Sequence, residues 1–340
     1  MTKRLGQSVL RHDTYGEQTG IATVKRVVSS VAIAIVNYNT REHLRACLAS
    51  VASEQCEEVV VVDNASSDGS AEMVQSNYPW VRLVTNQVNC GYGAAANQAI
   101  ASCSSRYVLL LNSDTLLRPG TLQVLGNYLD QHPQAAIVGP RLANPDGTLQ
   151  ASCFPFPTPL HTLLRESRLA TVMRYLPRLR HAYLPVWSHC YARVVPWVLG
   201  AALAIRREAF EAVGGFDNSF FMYFEEVDLC YRLQAAGWQV HFAPVTNVTH
   251  AGGASTQQYR PTMALQLYES LCHFYRQHYS GWQIFQLKLV VTYLMLRNSF
   301  RDRARLSCAA HSSPNDHLAE DLVVWRGVLG NVWSRAGWLE

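Results

Sequence analysis

Four times in succession the chain repeats one pattern: a short apolar run, a polar turn, then apolar residues at helical spacing. Val31 to Val36 leads to Leu44, Cys47, Leu48 and Val51, and Val59 to Val62 precedes a helix after Asp68. Val81 to Val84 precedes a helix from Gly93, and Tyr107 to Leu111 precedes one opened by Pro119-Gly120. Runs without polar alternation are strands covered on both faces. Their alternation with helices predicts an α/β chain, a Rossmann-like and mostly parallel sheet with helices on both sides. At 340 residues, 49% apolar and 16% charged, the chain can bury such a core and carry further helices, which excludes a disordered polypeptide.

Beyond Ile137-Val138-Gly139 the alternation weakens. Asn144-Pro145-Asp146-Gly147 marks a turn between antiparallel strands, and the Pro-rich segment Phe154 to Pro159 leads to a helical stretch near residues 160 to 178. Order resumes at Trp197, with a strand over Val198 to Ile205 and a helix over Arg206 to Val213. An acidic run and a helix over Leu229 to Ala236 follow, then a strand over Trp238 to Phe242. The pattern predicts a polar tail over 1–28, a catalytic α/β domain over 29–256 and a helical region over 257–340. In the last, residues 284 to 305 combine an apolar stretch too short to cross a hydrocarbon core of roughly 30 Å with a following Arg297, Arg301, Arg303 and Arg305. Two readings stand for this segment: a membrane-surface helix with basic flanks, or a helix packed on the catalytic domain or in a dimer.

A net charge of +4 suits a small anionic substrate or an anionic membrane surface and is too weak for nucleic acid. Nine cysteines, scattered and never spaced Cys-x-x-Cys, indicate neither a zinc site nor a disulfide framework. With a polar start up to about Val24, the expectation is a cytoplasmic protein whose one candidate surface is the inner face of the cell membrane.

In open α/β sheets ligands bind outside the carboxyl ends of the strands, and the polar residues of this chain gather at those ends. Asn37-Tyr38-Asn39 closes the first strand, Asp63-Asn64 the second and Asn112-Ser113-Asp114 the fourth. An ionised Asp63 only accepts hydrogen bonds, so it selects a base with an N–H, as in uracil or thymine; Tyr38 either stacks on that base or packs at the strand end. Gly91-Tyr92-Gly93 sits too far from its strand for a dinucleotide fingerprint. Its small residues either let a helix approach the donor, with Asn97 one turn on, or serve packing alone.

Asp114 follows a wholly apolar run, where a lone carboxylate is costly unless it meets a cation. A hard divalent ion bridging two phosphates meets that need, with Asn112 offering a neutral oxygen. His250 precedes Ala251-Gly252-Gly253-Ala254-Ser255, a loop able to close over a ligand, and reads either as a second metal ligand or as a structural histidine. In Glu225-Glu226-Val227-Asp228, adjacent residues on a helix point about 100° apart, so the acids differ in role. Asp228 and Arg232 are spaced for an intrahelical ion pair. Glu226 is the candidate general base, taking a proton from an acceptor hydroxyl.

Val36-Asn37-Tyr38-Asn39, Val62 to Ser66, Asn112-Ser113-Asp114, Gly214-Gly215-Phe216-Asp217 and Phe224 to Leu229, in this order, resemble glycosyltransferase family 2, nearest its bacterial rhamnosyltransferase-like branch. The likeness spans about residues 30 to 255. It implies the GT-A fold and a metal-dependent, inverting transfer from a nucleotide sugar. Asp63 then contacts the pyrimidine, Asp114 and His250 hold Mg²⁺ or Mn²⁺, and the second acid of the cluster, here Glu226 where Asp is common, is the base. Trp197 and Gly200-Ala201 fall where the family shapes its acceptor cleft. The branch implies L-rhamnose from dTDP-L-rhamnose and a glycan or lipid-linked glycan acceptor in cell-surface polysaccharide synthesis. A UDP-hexose or UDP-galactofuranose donor is the nearest alternative, and a non-catalytic nucleotide-sugar-binding relative is a third reading.

Overall fold

The computed structural model describes residues 31–54, 56, 58–166, 187–253, 260–308, 316–334 and 337–338. The polar tail over 1–28, the part of the helical stretch beyond 166, and Ala254 and Ser255 lie outside the described residues.

The central sheet begins with β1 (Val31–Asn37), flanked in parallel by β2 (Val59–Asp63) and β4 (Tyr107–Asn112), with β3 (Arg82–Thr85) parallel to β2 at the edge. Every residue of β1 and β2 is buried, as the unbroken valine and isoleucine runs demand. Helices α1 (Arg41–Val51), α2 (Ser70–Asn77), α3 (Tyr92–Ala101) and α4 (Thr121–Gln131) cover the two faces. Side chains of β1 alternate between two cores: Ala32, Ala34 and Val36 meet α3, whereas Ile33 and Ile35 meet α1 and α4.

Beyond β4 the sheet becomes mixed. With β6 (Ala135–Ala143), β11 (Ala202–Arg206) and β12 (Gln239–His250) its strands run β3-β2-β1-β4-β11-β6-β12, where β11 is antiparallel to both neighbours and β12 is parallel to β6. The turn at Asn144 to Gly147 joins β6 to the short antiparallel β7 (Leu149–Gln150), as its residues predict. On the way lie β5 (Thr115–Leu116), β8 (Cys153–Phe154), α5 (Pro159–Glu166), β9 (Arg193–Val194) and β10 (Trp197–Val198).

Three expectations need correction. The strand expected over Val198 to Ile205 is two: β10 pairs with β8, and the chain turns at Leu199-Gly200-Ala201 before entering β11, because Gly200 and Ala201 let it switch sheets. The helix expected from Leu229 begins four residues earlier, as α7 (Glu225–Ala235), after the short α6 (Arg207–Ala212). Its carboxylates thus occupy the first turn, where the helix dipole favours them. The last strand runs to His250 instead of Phe242; a register shift between Phe242 and Asn247 hides it from strict periodicity.

Three further helices, α8 (Arg260–His278), α9 (Gly281–Cys308) and α10 (Asp316–Trp333), build a third core with Phe220, Phe224 and Val227. Those residues flank or belong to the start of α7, so the C-terminal helices brace the acidic turn from behind.

Candidate active site

The carboxyl ends of β1, β2 and β4 open onto a cleft of about 270 Å³, lined among others by Tyr38, Asn112, Asp114, Gly200, Glu226 and His250. Residues from seven separate stretches meet there, which is what the switch point of an open α/β sheet provides.

The polar strand ends fall into two groups. Asn37 Nδ2 donates to Asp63 Oδ1 at 2.8 Å and to Ser66 Oγ, and Thr40 Oγ1 donates to Asn37 Oδ1. Asn39, at φ 52°, accepts from the Ser67 N–H while its own N–H donates to Ser66 Oγ. Asn37 and Asn39 therefore hold the loop that carries Asp63. Asp63 is buried, accepts the Ser66 N–H on its other oxygen, and keeps lone pairs for one more donor. Asn64 bonds Asn89, Asn86 and the Gly91 carbonyl, tying β2 to the start of α3, and it faces the cleft together with Ser113, whose Oγ is 2.7 Å from Thr40 Oγ1.

Asp114 and His250 meet across the sheet. His250 ends β12, beside β5, and its Nε2 lies 3.3 Å from Asp114 Oδ1 with both side chains buried. Gln150 Oε1 lies 2.8 Å from His250 Nδ1, which orients the ring with Nε2 toward Asp114. Asn112 Nδ2 lies 3.5 Å from His250 Nε2, and its Oδ1 is buried without a hydrogen-bond partner. An imidazole nitrogen and a carboxylate in one corner, flanked by an unsatisfied amide oxygen, fit a hard divalent cation. Among the described residues no group of three His, Cys, Asp or Glu side chains that could hold a metal gathers, so the described part of this corner offers such an ion two ionisable ligands.

The acids Glu225 and Glu226 line the same cleft. Tyr223 and Phe224 have φ of 67° and 69°, two consecutive left-handed residues that turn the chain into α7 and aim its first turn at the cleft. Burial of Phe224 in the third core offsets this strain. Glu226 lies over Gly200: a Cβ there would stand 3.5 Å from Glu226 Oε1. Its Oε2 is buried with no partner, and burial raises its pKa. Glu225 is more deeply buried, and burial followed by the charge of Glu226 pushes its carboxyl well above the ordinary range. Both carboxyls are thus held above the ordinary range, Glu225 further than Glu226.

Six expected site residues do not line the cleft: Asn37, Asn39 and Asp63, which form the network beside it, and Asp228, Asn97 and Trp197. Asp228 gives one oxygen to Arg232, at 2.6 Å, and the other to His278 Nε2, at 2.7 Å; Arg232 in turn holds the carbonyls of Val213 and Gly215. Asn97 clasps the N–H and C=O of Phe216 and so pins the glycine turn. Trp197 stacks on Phe154 and donates to the Pro155 carbonyl, behind Gly200 and Ala201, which do line the cleft.

Two contributors escaped the sequence reading. Gln150 sits on a two-residue strand with no local signal. Tyr92 lines the cleft with its hydroxyl 3.3 Å from the Gly200 carbonyl, its pKa raised well above normal by burial and by the charges of Glu225, Glu226 and Asp114. A tyrosine in a glycine-rich stretch would have been the cue.

Residues 29–269 match the family model described as "Glycosyltransferase like family 2". The chain belongs to glycosyltransferase family 2. A family relative from Mycobacterium tuberculosis, N-acetylglucosaminyl-diphospho-decaprenol L-rhamnosyltransferase, is 32% identical over 80% of this chain and 95% of its own length. Rhamnosyltransferase WbbL of Escherichia coli is 25% identical over 65% of this chain and 83% of its own. The solved mannosyltransferase PcManGT from Pyrobaculum calidifontis, in complex with GDP-Man and Mn²⁺, superposes with a TM-score of 0.51 at 18% identity, over 90% of this chain and 88% of that one. That likeness shows the fold, GT-A, and the family membership makes the chain a glycosyltransferase.

Proposed function

We propose that this glycosyltransferase moves L-rhamnose from dTDP-L-rhamnose, with inversion, to a lipid-linked glycan in cell-surface polysaccharide synthesis at the inner face of the cell membrane. The observation that carries the proposal is that the Asp114–His250 pair with Asn112, and the buried Glu226 carboxyl, line one cleft. The mycobacterial relative, matched over 95% of its length, supports the sugar and the lipid-linked acceptor.

Asp63 accepts the base N–H, with Tyr38 beside the ring. Asp114 and His250, with Asn112, would hold Mg²⁺ or Mn²⁺, which would supply positive charge to stabilise the leaving diphosphate. Glu226, lying over Gly200, takes the proton of the acceptor hydroxyl as that oxygen attacks the anomeric carbon and the C–O bond to the diphosphate breaks. A single displacement on the face opposite the leaving group inverts the centre. Glu225, whose carboxyl burial and then the charge of Glu226 hold above the ordinary range, donates a hydrogen bond to a sugar hydroxyl, and Tyr92 lines the cleft beside it.

Calorimetry of dTDP-L-rhamnose and UDP-glucose, each with and without Mn²⁺, tests the donor. Metal-dependent binding of dTDP-L-rhamnose, tighter than that of UDP-glucose, is expected; preference for UDP-glucose would contradict the rhamnosyl assignment.

A further inference from the structure

Helix α9 carries apolar side chains on two opposite faces. At about 100° per residue, Leu287, Val291, Leu294 and Met295 fall on one side, and all four are buried in the third core. On the other side Trp282, Phe285, Leu289, Tyr293, Leu296 and Phe300 recur every three or four residues, with exposures from 44% to 78%. They form a stripe about 27 Å long at 1.5 Å per residue. An apolar patch of this extent on a folded surface marks a binding face.

Its chemistry selects the partner. Four of the six stripe residues are aromatic, including the Trp and Tyr that favour the boundary between headgroups and acyl chains. The charge on the helix is one-sided. Its single acid, Asp302, is buried between Arg301 and the Trp325 Nε1–H, whereas Arg301 and Arg303 are exposed at the end of the stripe. A second copy of the chain would bring the same cations and no acid to this face. Beside the stripe, α5 and α9 enclose an open groove of about 480 Å³ lined by Leu160, Leu163, Leu289 and Val290, with Leu160 itself 61% exposed. No helix among the described residues is long and apolar enough to cross a membrane, so the face suits contact along a surface.

We propose that the bare face of α9, with Leu160 of α5, rests on an anionic phospholipid bilayer, its apolar side chains in the headgroup boundary and Arg301 and Arg303 on the headgroups. This goes beyond the transferase reading, since the contact needs neither donor nor acceptor. The full chain is sedimented with phosphatidylglycerol–phosphatidylethanolamine vesicles and with phosphatidylcholine vesicles, at low and high salt, without any nucleotide sugar. Binding to the anionic vesicles, weakened but not abolished by salt, is expected. Trp282→Ser with Phe300→Ser should lower partitioning by at least about tenfold, and Arg301→Glu should erase the preference for anionic lipid. Each altered side chain is exposed, and retained calorimetric binding of donor by the variants shows that they fold. Wild-type protein left in the supernatant with anionic vesicles, or partitioning unchanged by Trp282→Ser with Phe300→Ser, would overturn the proposal. So would a vesicle-indifferent dimer that those substitutions split, which would assign the face to a second copy.

Discussion

Glu225 and Glu226 are neighbours on one turn, yet burial treats them differently. A base must be ionised, and burial raises the Glu226 pKa above the ordinary 4.5, so the acid limb of the rate profile should lie above that value. A limb at or below it would contradict a buried base. Glu225 yields a stability prediction. Its folded pKa stands well above the ordinary 4.5, so below that value both states are protonated and the group has no effect. As pH rises between the two values the unfolded chain releases the proton first, and stability falls. Glu225→Gln should therefore raise the thermal midpoint at neutral pH and leave it unchanged near pH 4; the reverse pattern would show that Glu225 is ionised in the fold. Near Asp114, Gln150 orients His250, and Gln150→Leu should weaken Mn²⁺-dependent donor binding by roughly 10–100-fold in calorimetry. Asp114 and Glu226 were legible as cleft residues because a carboxylate after an apolar run, or an acid cluster before a helix, is chemically conspicuous; His250 stayed open between ligand and structural histidine, since one imidazole among twelve carries no such signal. Gln150 and Tyr92 were not, because each acts only through a partner distant in the sequence.

At the scale of elements, two junctions shape the site. Gly91, at φ 86°, starts α3 so close to the loop before the acids that a Cβ would stand 2.5 Å from the Phe221 carbonyl oxygen. Gly91→Ala should push that loop, and with it Tyr223 and Phe224, out of place, lowering both the thermal midpoint and donor affinity; an unperturbed variant would show that the loop is free to move. Asp228 links α7 to α8 through His278 and to the glycine turn through Arg232. Its removal by Asp228→Ala strands a partly buried Arg232, a loss of ~3–5 kcal/mol in denaturant unfolding. Strands β1, β2 and β4 were legible in full because both their faces are buried. The break at Leu199-Gly200-Ala201 and the early start of α7 were not: one depends on pairing with β8, the other on two left-handed residues that no propensity favours.

At the scale of the whole molecule, a parallel half-sheet carries Tyr38, Asn64 and Asp114 to the cleft, and the mixed half, with α7, brings His250 and Glu226 to meet them. The parallel half could be read from the chain because each unit is local. The mixed half could be read only in part, since β11 and β12 take their places from long-range pairing. The C-terminal helices were legible as helices. Their bracing of α7 was not, because Phe220, Phe224 and Val227 lie far from α8 to α10 in sequence. The central claim is that Glu226 removes the acceptor proton in this cleft. Its most direct test is turnover of dTDP-L-rhamnose with a polyprenyl-diphosphate-linked glycan by wild type and Glu226→Gln, alongside calorimetric donor binding. The account predicts a fall in turnover of about 10²–10⁴-fold with donor affinity preserved; turnover by Glu226→Gln equal to wild type would contradict it.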